Sequence, residues 1–531
     1  LTDTTASSAT EAPEAPRYPT LPSRAVAQRA TTQPDEPALI TSAGDRTWKQ
    51  LDERVNKLVR AMRTRGIEAG QAIALVCSNR PEFVEVYVAA GRNGLRLTPI
   101  NWHLGAEEIA YIVNDCEATM LVADERFSKT CAEAAELAPG LQAKLAVGGH
   151  IAGFETYDDA VGVESPEAIT DPGIGGTMLY TSGTTGRPKG VYRPRPAASR
   201  AQGQAVRVHE DGDVHLCTGP LYHAAPLAFS LGLPLLWGIG VVIMDGWDPE
   251  ETLRLIEEHK VTHTHLVPIM FHRLLSLPDD VRASYDISSL KRIGHGAAPC
   301  PVHVKKAMID WVGPIIWEYY AATEGSGTSV ESDEWLTKPG TVGKIPEDHV
   351  EIRDDDGNVV ETGEVGTVFL RAPDEKETRF QYFKDDEKTS KAYSGDYFTL
   401  GDMGYVDEDG YLFLTDRSAD LIISGGVNIY PAEVDAVMLT HDAVRDSCTI
   451  GVPNDEWGEE VKTVIELKEG IAPSDDLASE LIAYSRERLA NFKCPKTVDF
   501  IDELPRHETG KLYRRLVRET YRQKADDGRR T

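Results

Sequence analysis

The chain has 531 residues, 41% hydrophobic and 27% charged, proportions that exclude a mostly disordered, collagen-like or many-span membrane protein. Against 85 Asp and Glu stand 56 Lys and Arg, a formal charge of −29, so most of the surface should repel nucleic acid and anionic lipid. An anionic ligand then needs a local pocket of cations and amides.

Residues 1–18 are polar and rich in Pro, Ala and Thr, with no apolar signal-peptide core, and read as a flexible arm. From Thr47 to about Pro339 the pattern alternates. Residues 47–66 form an amphipathic helix stopped by Gly66, 72–78 a strand, 81–94 a helix opening with Pro81, and 118–124 another strand. This repetition predicts an α/β fold with mostly parallel sheets. Residues 224–244 carry no charge and are long enough to span a bilayer. Pro226, Pro234, Gly238 and Gly240 divide them into a helix, a turn and a short strand, so they are expected to be buried and no transmembrane segment is predicted.

From Gly340 to Thr415 short alternating strands surround Asp-Gly turns, a β-rich subdomain, and after Asp416 and Arg417 mixed α/β texture returns. The expected organisation is a flexible arm (1–18), a large N-terminal region (19–416) containing the β-rich part (340–415), a small α+β C-terminal unit (417–522) and a flexible tail (523–531). Cys77, Cys116, Cys131, Cys217, Cys300, Cys448 and Cys494 are scattered without a Cys-x-x-Cys pair. That pattern suits free thiols in a reducing, cytoplasmic setting, not a disulfide framework or structural zinc.

The strongest local signal spans Tyr180 to Gly190. After an apolar strand come the hydroxyls of Thr181, Ser182, Thr184 and Thr185, the glycines Gly183, Gly186 and Gly190, and the cations Arg187 and Lys189. Glycines allow tight turns, so that amides and hydroxyls wrap a polyphosphate, and Lys189 adds a point charge. The Walker A spacing is not met.

This loop resembles the signature of the adenylate-forming superfamily, which comprises acyl-CoA synthetases, luciferases and peptide-synthetase adenylation domains. The resemblance extends over nearly the whole chain, in the family's order. Tyr320, Ala321, Ala322, Thr323 and Glu324 are similar to its Tyr-Gly-x-Thr-Glu motif, and Gly296, Ala297, Ala298 and Pro299 to its adenine-side loop. Thr399 to Asp402 resemble the ribose element. Asp416-Arg417 and the segment from Ser424 to Glu433 resemble the hinge and the start of a small mobile lid, and Thr509-Gly510-Lys511 the catalytic-lysine motif.

The resemblance implies that a carboxylic acid and ATP give an acyl-adenylate and pyrophosphate, and that the acyl group then passes to coenzyme A. It implies that Thr181 through Lys189 hold the β- and γ-phosphates and that Thr181 and Glu324 flank Mg²⁺. Asp402 and Arg417 would contact the ribose, while Tyr320 and the Gly296–Pro299 backbone would enclose the adenine. Lys511 would bridge carboxylate and α-phosphate. After lid rotation, Ser424, Gly425 and Gly426 would admit the pantetheine arm. Two departures stand out: Ala419 at the hinge position, where the family has Asp or Lys, and Ala321, where it has Gly.

Tyr222 and His223 resemble the element that gates the acid carboxylate, His223 being otherwise a core histidine. Ala224, Ala225, Pro226, Met270, Phe271, Ala297 and Ala298 would suit a hydrophobic acyl group, or serve as plain core. The expected substrate is a hydrophobic monocarboxylate, a medium- or long-chain fatty acid, with an aryl or polycyclic acid as the alternative. Rival readings are a ligase that loads a carrier protein and a non-catalytic nucleotide-binding scaffold. A homodimer and a peripheral membrane contact for a lipid substrate are compatible with this reading. His263 and His265 alternate on one strand face without a third ligand nearby, Asp354 to Gly357 read as a hairpin turn, and Cys300 has no paired base.

Overall fold

The computed structural model describes residues 21–181, 188–194, 209–346, 348–354, 356–417, 420–424, 427–454, 458–506, 510 and 512–529. The expected arm (1–18) lies outside them.

Local signals set the early helices. Thr47 caps Trp48–Thr64 reciprocally: its hydroxyl accepts from the Gln50 amide at 3.2 Å, and the Gln50 side chain accepts from the Thr47 amide at 2.9 Å. Pro81–Asn93 starts on a proline and ends at Gly94 with φ +72°, a left-handed cap that glycine adopts without strain.

Two large sheets follow from the βα alternation. One has six strands, all parallel, in the order Glu155–Thr156, Ala143–Val147, Ala118–Asp124, Ala72–Val76, Arg96–Pro99, Gly176–Thr177. The other has eight, in the order Gly325–Glu331, Ile316–Ala322, Arg292–His295, His263–Leu266, Val214–Cys217, Gly240–Ile243, Pro37–Thr41, Arg46–Thr47. Its six inner strands are parallel and its two edge strands antiparallel. The uncharged 224–244 stretch is a π-helical turn Pro226–Gly232, a helix Leu233–Trp237 and a strand Gly240–Ile243, with most side chains buried. Among the described residues no helix is long and apolar enough to cross a membrane.

The β-rich part is an antiparallel sheet that includes Val350–Arg353, Gly366–Arg371, Tyr397–Val406 and Tyr411–Arg417. Asp354 makes the expected turn, its carboxylate accepting from the Asn358 amide at 2.8 Å. A small sheet, Leu179–Thr181, Lys189–Tyr192 and Gln381–Tyr382, joins the phosphate-loop flanks to this part. The C-terminal unit is a five-stranded sheet around Val444–Asn454 and Gly458–Leu467, tied by Arg514 to Asp435 (2.9 Å) and Arg518 to Asp420 (2.9 Å). Helix runs into the stretch expected to be a flexible tail, 523–531. The backbone is helical from Arg514 to Arg529. No proline interrupts this stretch, and Arg, Gln, Lys and Ala favour helix up to Gly528. All seven cysteines are free thiols.

Candidate active site

The ends of the parallel strands and the small phosphate-side sheet converge on one region, where open α/β sheets bind ligands. Thr181 ends one strand and Lys189 starts its antiparallel neighbour, directly opposite in register. The intervening Ser182, Gly183, Thr184, Thr185 and Gly186 lie outside the described residues. Lys189 pairs with Asp385 at 2.8 Å, and that hydrogen bond raises the Lys189 pKa above the usual lysine value.

That strand, Lys189–Tyr192, is followed directly by Arg193, which sequence reasoning missed. Its guanidinium donates to the carbonyls of Thr323 (3.0 Å) and Glu324 (2.6 Å). Burial lowers its pKa, with Tyr393 and Glu324 opposing. Tyr382, opposite Val191 on the antiparallel partner strand, donates its hydroxyl to Glu324 Oε1 at 3.0 Å. Lys388 lies 4.0 Å from the Tyr382 ring centroid; burial lowers its pKa while Glu324 raises it. Glu324 thus sits among a part-buried guanidinium, a phenol and a lysine, all brought in by the segment leaving the phosphate loop and the segment paired to it. Nothing in the local sequence around Arg193, Tyr382 or Lys388 marks these partners.

Tyr320 is buried and donates to Asp402 Oδ2 at 2.7 Å, linking the large sheet to the β-rich one. Asp402 stands opposite Arg417 in register, and Gly401 precedes it at φ +78°. Gly296 lies flat on Tyr319: a Cβ there would fall 2.7 Å from the ring and 2.7 Å from the Tyr319 carbonyl oxygen. Ala297 takes φ +69°, a left-handed conformation costly for a side chain, in the loop expected to face the adenine. Ala298, Pro299, Ala321 and Thr323 line the same end of these strands, part-exposed or exposed.

Tyr222 is buried with its ring edge-on to Trp102 at 6.4 Å, and His223 stacks obliquely 4.2 Å from Tyr222. Their turn is held by Asn79, which donates to the carbonyls of Gly219 and Met244 and accepts from the Leu221 amide, all at 2.9 Å. Phe271 departs from expectation. It is fully buried 5.0 Å from His295, in the core on the far side of the large sheet, because its helix turns that face inward. Met270 shares that core, with its sulfur accepting from Thr218 Oγ1 at 3.8 Å. Phe229 of the π-helical turn stands on the cleft side instead, 4.6 Å from Tyr319.

The C-terminal unit reaches this end through Gly510. At φ +76° it lies so close that a Cβ would stand 2.1 Å from Ile269 Cγ2 and 3.2 Å from Val267 Cγ2. Arg506 braces it by donating to its carbonyl. Lys511, Ala419, Gly425 and Gly426 lie outside the described residues, as does the Arg417 side chain, whereas Ser424 ends a strand of the C-terminal sheet. Among the described residues, no group of three or more His, Cys, Asp or Glu could hold a metal ion by itself. A hard divalent cation would therefore be shared between oxygen donors such as Thr181 and Glu324 and the phosphates of a nucleotide, a division usual for Mg²⁺.

Residues 26–374 match the family model described as AMP-binding enzyme, and residues 433–511 match the AMP-binding enzyme C-terminal domain. The chain is 31% identical over 499 residues to the 2-succinylbenzoate–CoA ligase of Geobacillus kaustophilus, covering 92% of this chain and 96% of that protein. It is 29% identical over 511 residues to the long-chain-fatty-acid–CoA ligase FadD13 of Mycobacterium tuberculosis, covering 93% and 97%. The fold is that of the anthranilate CoA ligase AuaEII solved with anthranoyl-AMP, with a TM-score of 0.85 at 24% identity over 97% of this chain and 99% of that one.

Proposed function

Because the chain belongs to the AMP-binding enzyme family, we propose that it is an AMP-forming acid–thiol ligase that activates a hydrophobic carboxylic acid with ATP and transfers the acyl group to coenzyme A. In the first step a carboxylate oxygen attacks the α-phosphorus, the bond to pyrophosphate breaks, and acyl-AMP forms. In the second the thiolate of coenzyme A attacks the acyl carbon and AMP leaves. Two anions must meet in the first step, so the protein's task is positioning and charge neutralisation.

The phosphate loop from Thr181 to Lys189 holds the β- and γ-phosphates, and Lys189 exchanges Asp385 for them. Mg²⁺ held by Thr181, Glu324 and the phosphates supplies further neutralisation of phosphate charge. Asp402 and Arg417 accept and orient the ribose, and Tyr320 with Gly296, Ala297, Ala298 and Pro299 forms the adenine slot. Tyr222 and His223 gate the carboxylate. Lys511 bridges carboxylate and α-phosphate, and Ser424, Gly425 and Gly426 shape the thiol path after the lid swings about residue 419.

The observation that carries this reading is the Arg193 contact. It joins the segment leaving the phosphate loop to the backbone of Glu324 at 2.6 Å, which supports a single site built from the two signature motifs. The test is a panel of carboxylic acids assayed for pyrophosphate exchange and for CoA-dependent AMP formation. AMP release that requires both acid and CoA supports the ligase. Exchange without CoA-dependent release points to a carrier-protein acceptor. Lys511→Ala should lose exchange while still binding ATP; unchanged exchange would refute its role.

A further inference from the structure

The two faces of the large sheet differ in chemistry. Toward the helices Pro249–His259, Pro268–Leu275 and Val302–Val312 it presents Leu216, Leu266, Ile293 and Ile316, an ordinary apolar core. Toward the π-helical turn it presents His215, His263, His265, Gly294, Trp317 and Tyr319, which alternate with those core residues along the same strands. Gly294 in the strand Arg292–His295 and Gly296 just past its end make this face flat. The Trp317 indole covers Gly294, where a Cβ would lie 2.9 Å from Nε1, and the Tyr319 ring covers Gly296. Phe229 faces this wall, 4.6 Å from Tyr319, 5.7 Å from Trp317 and 5.8 Å from His265. Phe229 and Trp317 are only partly buried whereas His265 and Tyr319 are buried, so the wall opens at its rim, beside the Gly296–Pro299 loop, and Phe229 must give way for a ligand to reach its deeper end.

The wall ends in a polar pair. His265 Nε2 and the Tyr319 hydroxyl are 2.8 Å apart. His265 is level with Gly294, two residues below Gly296, or about 7 Å deeper. A tyrosine hydroxyl both donates and accepts, so this bond leaves it capacity for one more partner. One rung lower, neither ring nitrogen of His215 or His209 has a hydrogen-bond partner among the described residues. A cleft built for a plain alkyl chain has no use for such groups, because unpaired buried polar atoms cost free energy.

We propose that this cleft takes an aryl carboxylic acid bearing a neutral hydrogen-bonding group, such as a phenolic hydroxyl, on the far side of its ring, read by Tyr319 and His265. The inference rests on the ligase reading and narrows its substrate from hydrophobic acids at large to ring acids. Flat aromatic walls favour a planar ring over a flexible chain. Burial holds the His265 imidazole down to about 4, so it is uncharged at neutral pH. Arg292 stacks over Trp317 at 5.3 Å and is paired with Glu331 at 2.5 Å. The described cleft therefore offers a second carboxylate no unengaged cation at that end.

The experiment is ATP–pyrophosphate exchange with five acids: 4-hydroxybenzoate, benzoate, 4-hydroxycinnamate, cinnamate and decanoate. On at least one scaffold the hydroxylated acid should exceed its unsubstituted partner at least about 10-fold in kcat/KM, since a site built to bond a hydroxyl rejects the analogue lacking it. Tyr319→Phe and His265→Phe, checked for folding by thermal melting, should each reduce that ratio to within about 3-fold. Equal or better use of decanoate, no preference for the hydroxyl, or a ratio unchanged in Tyr319→Phe would overturn the inference. If neither variant folds, the preference of the unmodified protein decides. Exchange with none of these five nor with any acid of the wider panel refutes the underlying ligase reading, whereas exchange with decanoate or other panel acids but with neither hydroxylated acid refutes only the ring-acid inference.

Discussion

Gly510→Ala should disable adenylation by pushing the C-terminal unit off the large one. Two costs add. Alanine at φ +76° pays a left-handed backbone penalty of about 1–2 kcal/mol. The new methyl would also lie 2.1 Å from Ile269 Cγ2, well inside an ordinary carbon–carbon contact of about 3.5–4.0 Å. Relieving such overlap in packed protein costs about 1–3 kcal/mol. Together these give about 2–5 kcal/mol against the docked arrangement, or roughly 30- to 5,000-fold in the rate of the step that needs it. The assay is pyrophosphate exchange set against thiol transfer from supplied acyl-adenylate. Exchange should fall, and transfer should be largely retained because it uses the other lid position. Ile269→Ala in the same chain makes room for the methyl and should recover exchange to within roughly 10-fold, leaving mainly the backbone penalty. Unchanged exchange in Gly510→Ala, or no recovery in the double variant, would refute the docking argument.

Arg193→Met removes the donor that holds two carbonyls beside Glu324; at about 1.5–3 kcal/mol for a charged hydrogen bond, exchange should drop at least 10-fold and the Mg²⁺ concentration for half-maximal nucleotide binding should rise, with Arg193→Lys recovering part. Titrating Mg²⁺ in a nucleotide-binding assay checks this. Tyr320→Phe deprives Asp402 of a donor and should raise the KM for ATP roughly 10- to 100-fold by the same magnitude, measured at saturating acid. Buried histidines set an acid limit. Burial holds His265 down to about 4 and His209 to about 3, against an ordinary 6.5. Between pH 6.5 and about 4 the unfolded chain therefore binds protons that the folded one refuses, and stability falls as pH drops through that window. Above about pH 7 these rings contribute no slope, so the melting temperature should decline steeply only on the acid side, and His265→Gln should make the decline shallower.

The helix Trp48–Thr64, the helix opening at Pro81 and the strands flanking the Asp407–Gly410 turn follow from periodicity, caps and Asp-Gly turns, all signals that act within a few residues. The order of ligand motifs was legible for the same reason, since each is a contiguous string. What the sequence hid depends on tertiary placement. Arg193 looks like any polar residue after a strand until antiparallel pairing brings Tyr382 beside it and both meet Glu324. Phe271 looked like a pocket residue because it is apolar and near the motif, yet helical phase sent it to the opposite face of the sheet. His263 and His265 invited a metal reading from their alternation. The same alternation, once the partner strands are known, puts His265 against Tyr319. Past residue 522 terminal position predicts fraying, whereas the residue types there favour helix.

Asn79 leaves the six-stranded sheet, yet three of its hydrogen bonds fasten the turn that carries Tyr222 and His223. One amide is thus a rivet between two layers. Any repacking behind the Ala72–Val76 strand arrives at the acid gate as a shift in its position. The phosphate-side groups hang from a separate small sheet, but its Tyr180 and Tyr192 pack against the core that holds Ala74 and Val76. Selection for a new acid that repacks this core therefore reaches the acid gate through Asn79 and the nucleotide machinery through Tyr180 and Tyr192.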